Sequence, residues 1–323
     1  MRTVVCSEYG PPETLRVEER PTPTPGPGQV LVAVAAAAVN FPDVLIIANR
    51  YQVSVPLPFT PGSEFSGVVE AVGEGVADWH VGDRVFGAAM SGAFSEYVVV
   101  PAASLHRVPE GADLVSMAGF WVAHVTAYHA LRSVAGVGPG DRVLVLGAAG
   151  GVGLAAVELA TLLGAEVIAA ASSEEKLAVC RARGAAHMID YSTEDLRDRI
   201  RQAAPNGLDV VIDPVGGPMA ELALRSTKWG GRFVTVGFAS GEIPRIPLNL
   251  VLLKGVIIKG FEVRTFGQHA PEAAARDEHE LMELVASGRI VPHISSTHTL
   301  EHAAAALREL ADRRAVGKVL ITP

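Results

Sequence analysis

Short apolar runs broken by glycine and proline fill the chain between residues 30 and 100, and longer alternating blocks replace them after residue 118. Runs at 30–34, 65–73, 83–87 and 96–100 have the length and turn spacing of short strands, which predicts a compact β-rich domain. The proline-rich stretch 21–28 reads as a stiff surface connection. A helical stretch at 128–134 leads into the apolar run Val143 to Leu146, and strands then alternate with helices. Strands are expected at 166–170, 187–189, 209–213, 232–237 and 256–261, with helices at 173–183, 193–203 and 218–228. That alternation is the mark of a doubly wound parallel sheet covered by helices on both faces, so the fold class is α/β. The tail, from residue 271 on, carries amphipathic helices around 278–287 and 300–312 and a last strand at 317–321.

The strand at 143–146 runs into Gly147-Ala148-Ala149-Gly150-Gly151-Val152-Gly153 and then into a glycine-free apolar helix. Read as G-x-G-x-x-G, the motif positions are Ala148, Gly150 and Gly153, with alanine in the first. Glycines there let backbone N–H groups approach a pyrophosphate on the positive end of the helix. An ordinary glycine-rich turn would not require both the buried strand before and the helix after, and both are present. The second strand ends Ala169-Ala170-Ala171-Ser172-Ser173, without the carboxylate that an NAD site places on the ribose hydroxyls. Ser172, Lys176 one turn later and Tyr191 beyond the third strand suit a 2′-phosphate instead, which favours NADPH over NADH. Glu174 and Glu175 count against that reading, and Ser172 or Ser173 could equally serve as a helix cap.

Composition narrows the class. A chain of 323 residues suggests two domains, and 49% hydrophobic against 19% charged residues supplies large cores. A formal net charge of −8 argues against a nucleic-acid or anionic-membrane surface. The longest apolar run, 30–39, is too short to span a bilayer, and the N-terminus lacks the apolar segment of a signal peptide. Two cysteines, Cys6 and Cys180, form no spaced pair, which suits a reducing cytoplasm.

In order along the chain come Asn40-Phe41-Pro42-Asp43, Pro61-Gly62-Ser63-Glu64-Phe65-Ser66-Gly67, the glycine turn, Asp213-Pro214-Val215-Gly216-Gly217 and Gly317-Lys318-Val319-Leu320. This series resembles the medium-chain dehydrogenase/reductase superfamily and, within it, the zinc-free NADPH:quinone oxidoreductase branch, over essentially the whole chain. The resemblance implies a GroES-like catalytic domain (1–121 with 265–323), a Rossmann NADPH-binding domain (122–264), a cleft between them and a homodimer. The apolar strand at 256–261 ends the parallel sheet, so its open edge is the expected dimer contact, although Lys259 could also guard that edge.

Zinc members of the superfamily carry a cysteine where this chain has the segment 40–43, and a His-Glu pair where it has Ser63-Glu64. Without thiolate and imidazole, Glu64 is left without partners and no catalytic zinc is expected. His298 and His302, the nearest pair of histidines, fall on an expected polar tail helix. Without a Lewis acid, what remains is to place the nicotinamide against an electron-poor acceptor and to hydrogen-bond the developing oxyanion.

The resemblance puts Asn40 and Thr126 at the nicotinamide end and Tyr51 near the substrate mouth. It puts Gly150, Gly151 and Val152 on the pyrophosphate, and Lys176 and Tyr191 on the 2′-phosphate. Val215, Gly237 and Phe238 line the path from adenosine to nicotinamide. Asp43 is a candidate acid or orienter, and equally a helix cap. Two substrate classes stay open, quinones and activated C=C bonds (enones, enals, haloacrylates or enoyl-CoA). Arg50 and Arg264 are the cations that could meet a CoA phosphate. A non-enzymatic, crystallin-like NADPH-binding protein is the third reading.

Overall fold

The computed structural model describes residues Met1–Pro323. The chain divides into two compact units, 1–122 with 285–323 and 123–284.

The first unit opens with β1 (Arg2–Val5), β2 (Arg16–Glu19), β3 (Gln29–Val39), α1 (Phe41–Ile47) and β4 (Glu64–Val72). It continues through β5 (Arg84–Ala88), β6 (Tyr97–Pro101), β7 (Leu105–Arg107) and the single turn α2 (Leu114–Met117). Helix α3 (Trp121–His129) crosses the division between the units.

The second unit holds β8 (Arg142–Leu146), α4 (Gly151–Leu162), β9 (Glu166–Ala171), α5 (Glu174–Ala182), β10 (His187–Asp190) and α6 (Leu196–Ala203). After these come β11 (Leu208–Asp213), α7 (Pro218–Ser226), β12 (Thr227–Thr235), α8 (Leu248–Lys254), β13 (Ile257–Gly260), α9 (Val263–His269) and α10 (Pro271–Ala286). The chain then returns to the first unit for β14 (Ile294–Thr299), α11 (Ala303–Ala311) and β15 (Lys318–Thr322).

In the first unit β14, β15, β3, β4, β5 and β7 form one sheet in that order, with β6 also paired to β3. The eleven-residue β3 is its spine, and Val30, Val32, Phe65, Val85 and Phe94 fill the core beneath it. Strand β15 lies antiparallel to β3, with Val319 opposite Val39. That register brings the C-terminal strand beside the start of α1.

The second unit is a six-stranded sheet in the order β10-β9-β8-β11-β12-β13, with every neighbouring pair parallel. Strand β8 is central, and Val143, Leu144, Val145 and Leu146 are completely buried. The unbroken apolar run is what a strand covered on both faces requires. Each such side chain contributes about 1.5–3 kcal/mol through burial.

By contact, the segment 265–284 groups with the second unit. Its helices are tied down there, by His129 Nδ1 to Asp277 at 3.0 Å, Tyr128 to Glu280 at 2.7 Å and Arg132 to Glu280 at 2.9 Å. Two expectations need correction. The expected polar tail helix carrying His298 is instead β14, whose alternating exposed and half-buried residues follow a strand period. His298 Nε2 meets Glu309 Oε1 there at 2.8 Å, and His302 sits in a short 3-10 turn. Helices α8 and α9 have no counterpart in the apolar pattern, because α8 exposes most of its leucines. Both cysteines are buried and free. No helix is long and apolar enough to cross a membrane.

Candidate functional site

In the second unit, β8 ends at Leu146 and the chain reverses into α4. Gly147 makes the reversal with φ +59°, a left-handed conformation that costs glycine nothing. The tight-turn role that the motif gives to its first glycine therefore falls to Gly147, one residue before the alanine. A side chain on Gly147 would strike Val215 at 2.7 Å, and one on Gly153 would lie 2.2 Å from the Gly147 carbonyl oxygen. The turn is closed so tightly that helix and strand leave no room for a Cβ, whereas at Gly150 the nearest atom would be 3.5 Å away. The backbone N–H groups of Gly151, Val152 and Gly153 form the first turn of α4, where no intrahelical acceptor exists.

The loop after β11 meets this turn. Asp213 Oδ1 accepts from the N–H groups of Val215 and Gly216 at 2.9 and 2.8 Å. Its Oδ2 is buried with no partner, and burial pushes the carboxyl above its usual range. The chain after β12 folds back onto the same loop, since Gly237 N–H reaches the Asp213 carbonyl and Ser240 N–H the Val215 carbonyl. Phe238 lies against Gly216. The glycine turn, Val215, Gly237 and Phe238 thus converge at the carboxyl ends of β8, β11 and β12, the place where open α/β sheets take ligands.

On the other side of β8, Lys176 in the first turn of α5 donates from Nζ to Ser172 Oγ at 3.1 Å. Ser173 caps the helix. Burial lowers the Lys176 ammonium below the usual lysine range, against the opposing pull of Glu175. Glu174 faces solvent and is engaged by Arg181 at 3.2 Å. Tyr191 N–H bonds the Ala171 carbonyl at 3.1 Å, which seats Tyr191 beside the tip of β9. Ser172, Lys176 and Tyr191 are therefore gathered at one strand end. These residues fit a dinucleotide carrying a 2′-phosphate. Thr126 is half-buried on α3 within this unit. A polar cavity of about 630 Å³ opens along β10, between α5 and α6, and none of the expected site residues lines it.

The first unit holds a separate buried group. Asn40 follows β3 and caps α1, and its carboxamide is gripped from both sides. Oδ1 accepts from Lys318 Nζ at 2.6 Å, and Nδ2 donates to Glu64 Oε2 at 3.1 Å. Lys318 also donates to Glu64 Oε2 at 2.9 Å. The second Glu64 oxygen accepts from the Val122 N–H at 2.8 Å, in the first turn of α3, where the helix dipole favours a negative charge. Both Glu64 oxygens are thus hydrogen-bonded, although no co-ligand for a metal stands beside them. The cation that meets Glu64 comes from 254 residues away, and no local motif announces that contact.

Asp43, the third residue of α1, accepts from the Asn40 N–H at 2.7 Å, the reach-back limb of a capping box. Its other oxygen is buried without a hydrogen-bond partner. Burial pushes its carboxyl up to about 7, with Glu64 adding to the rise and the Asn40 N–H, Ser63 and Lys318 opposing it. Tyr51 follows α1 and packs, half-buried, against the apolar core of this unit.

A zinc ion does not fit the first-unit group. Asn40, Ser63 and Glu64 bring one carboxylate and no thiolate or imidazole, and an ammonium already sits on that carboxylate. No group of three or more His, Cys, Asp or Glu side chains is placed to hold a metal ion.

The chain is similar to known proteins along its whole length. Residues 26–110 match the alcohol dehydrogenase GroES-like domain, and residues 151–286 the zinc-binding dehydrogenase family. The chain is 38% identical to quinone oxidoreductase-like protein 2 of Mus musculus, over 99% of this chain and 92% of that protein. The structure of Escherichia coli quinone oxidoreductase complexed with NADPH superposes with a TM-score of 0.92 at 28% identity, covering all of both chains. A 2-haloacrylate reductase superposes with a TM-score of 0.84 at 32% identity, over 100% of this chain and 99% of that one.

Proposed function

This chain belongs to the medium-chain dehydrogenase/reductase family, in its quinone oxidoreductase-like branch, and on that premise we propose that it is a zinc-independent, NADPH-dependent reductase of quinones. The observation that carries the reading is the convergence of the closed glycine turn with Val215, Gly237 and Phe238 at the strand ends. NADPH is the cofactor. The N–H groups of Gly151 and Val152, with the turn at Gly150, take its pyrophosphate. Ser172, Lys176 and Tyr191 take its 2′-phosphate, and Val215, Gly237 and Phe238 line its course towards the nicotinamide. Bound NADPH supplies a hydride. In this reading Asn40 and Thr126 orient the nicotinamide end, Tyr51 serves the substrate entrance, and Asp43 acts as the proton source.

An electron-poor acceptor suits a site without a Lewis acid, because conjugation spreads the incoming charge. Activated C=C bonds are the second reading, supported by the likeness to 2-haloacrylate reductase. A crystallin-like, non-enzymatic role would predict a damaged nucleotide site, whereas the turn here is intact. The test is NADPH oxidation against 1,4-benzoquinone, 9,10-phenanthrenequinone, an alkenal, a haloacrylate and crotonyl-CoA. We expect the quinones to turn over fastest. Faster turnover of the haloacrylate or alkenal would transfer the assignment to C=C reduction. Turnover should be unchanged after exhaustive dialysis against a chelator, and loss of activity together with one zinc per chain would refute zinc independence.

We further propose a cytoplasmic homodimer joined through the edge of β13. Ile257 and Ile258 on that edge are 48% and 40% exposed. Trp229, Leu248, Leu252 and Leu253, on β12 and α8, add exposed apolar surface. Lys259 does not guard the edge, since its ammonium donates to the Val134 carbonyl at 2.5 Å. Pairing two such edges across a two-fold axis would join two sheets and cover both apolar faces. Light scattering should give twice the chain mass at micromolar concentration, and a mass near 33.8 kDa refutes the dimer. Ile257→Pro should dissociate or unfold it, because proline removes a ladder donor. A native dimer of that variant would put the interface elsewhere.

A further inference from the structure

Lys318, Glu64 and Asn40 form a closed ring of three hydrogen bonds, and the three residues are 4%, 1% and 6% exposed. Lysine offers only donors and an ionised glutamate only acceptors. The carboxamide between them therefore has one allowed flip state, with Oδ1 on the ammonium and Nδ2 on the carboxylate. The ring is anchored from outside. The Val122 N–H fixes the second Glu64 oxygen, and the Lys318 N–H bonds the His293 carbonyl at 2.9 Å. The Lys318 stem passes over Gly119, where a Cβ would come within 3.1 Å of the Lys318 Cβ. The chain thus gives up a side chain at Gly119 to seat this lysine.

Burying a charge pair is a poor way to gain stability. Apolar residues of similar volume are often as stable or more so, because desolvation consumes the Coulomb gain. What the pair supplies that apolar packing cannot is orientation. We propose that Lys318 and Glu64 are positioning residues that lock the Asn40 carboxamide, and with it the turn from β3 into α1, in the geometry needed for hydride transfer. This rests on the oxidoreductase reading above. In that reading the ammonium fixes charge and geometry at this end of the first unit. It does so without accepting electron density from the substrate.

The neutral double variant Lys318→Met/Glu64→Gln tests the proposal without leaving an unpaired buried charge. Its glutamine keeps an oxygen for the Val122 N–H. Lys318→Arg, which keeps the cation and changes only its donor geometry, is measured alongside it. Three quantities are read: NADPH affinity by fluorescence titration, kcat and KM for the best acceptor, and the kinetic isotope effect with NADPH deuterated at the transferred position. The double variant should bind NADPH within about threefold of wild type while kcat falls about ten- to a hundredfold, the cost of a misplaced reacting group. The isotope effect should rise as hydride transfer becomes limiting, and Lys318→Arg should fall between the two in kcat. Wild-type kcat and isotope effect in both variants, with an active wild type, overturn this proposal alone. A wild type for which none of the named acceptors supports NADPH oxidation overturns the functional reading and this proposal together.

Discussion

Lys176→Ala is expected to weaken NADPH about ten- to a hundredfold while leaving NADH within about threefold. The difference is the 2′-phosphate, and a charge-assisted contact to it is worth about 1.5–3 kcal/mol. The geometry sharpens this expectation. The Lys176 ammonium lies 3.1 Å from Ser172 Oγ at the tip of β9, where a NAD site would carry a carboxylate. Its pKa is already lowered by burial, so a dianionic phosphate beside it would restore the favoured charged state. Of the two glutamates that argue against a phosphate here, Glu174 faces solvent with Arg181. Glu175 remains as an opposing charge, and for that reason the expected loss lies below that of an isolated ion pair. Fluorescence titration with both cofactors checks it, and equal weakening of NADPH and NADH refutes the 2′-phosphate assignment.

The second unit was largely legible in the sequence because its signals are local. A buried run, a glycine turn and an apolar helix follow one another within twenty residues, and periodicity marks each of them. Even there the motif frame misplaced the tight turn, because only backbone geometry reveals that Gly147, not Ala148, adopts positive φ. The grouping of the helices at 265–284 with the second unit was not legible, for a different reason. Their partners His129, Tyr128 and Arg132 lie about 150 residues upstream, and pairing at that range leaves no trace in local pattern. The Lys318–Glu64 contact was invisible on the same ground. The closing Gly317-Lys318 pair was legible as a motif, but its job depends on β15 lying beside β3. Asp43 could be read as acid or as cap. The structure shows a cap whose second oxygen is idle, so the capping role alone does not account for the carboxylate.

Asp43→Asn should stabilise the protein at pH 8 and leave it nearly unchanged at pH 4. In the unfolded chain this carboxyl ionises near the ordinary aspartate value of about 3.9. Burial raises it to about 7 in the folded protein. Between those two values the folded state holds the proton that the unfolded state has released. Stability therefore falls as pH rises through that window, and the cost is constant above it. A shift of this size amounts to a few kcal/mol at most. The amide keeps an oxygen for the Asn40 N–H and places a donor where the idle carboxylate oxygen now stands, beside the Ser63 hydroxyl. Urea midpoints of variant and wild type at pH 4, 6 and 8 isolate this residue, because every other titrating group is common to both. The gap should open with rising pH and level off near pH 8. A gap independent of pH would mean that Asp43 is ionised throughout. In that case it could not hold a proton for the reduced acceptor near neutrality, and its role would contract to capping α1. If the gap opens as expected and kcat of the same variant falls, the buried carboxyl is retained at a cost in stability because turnover needs its proton.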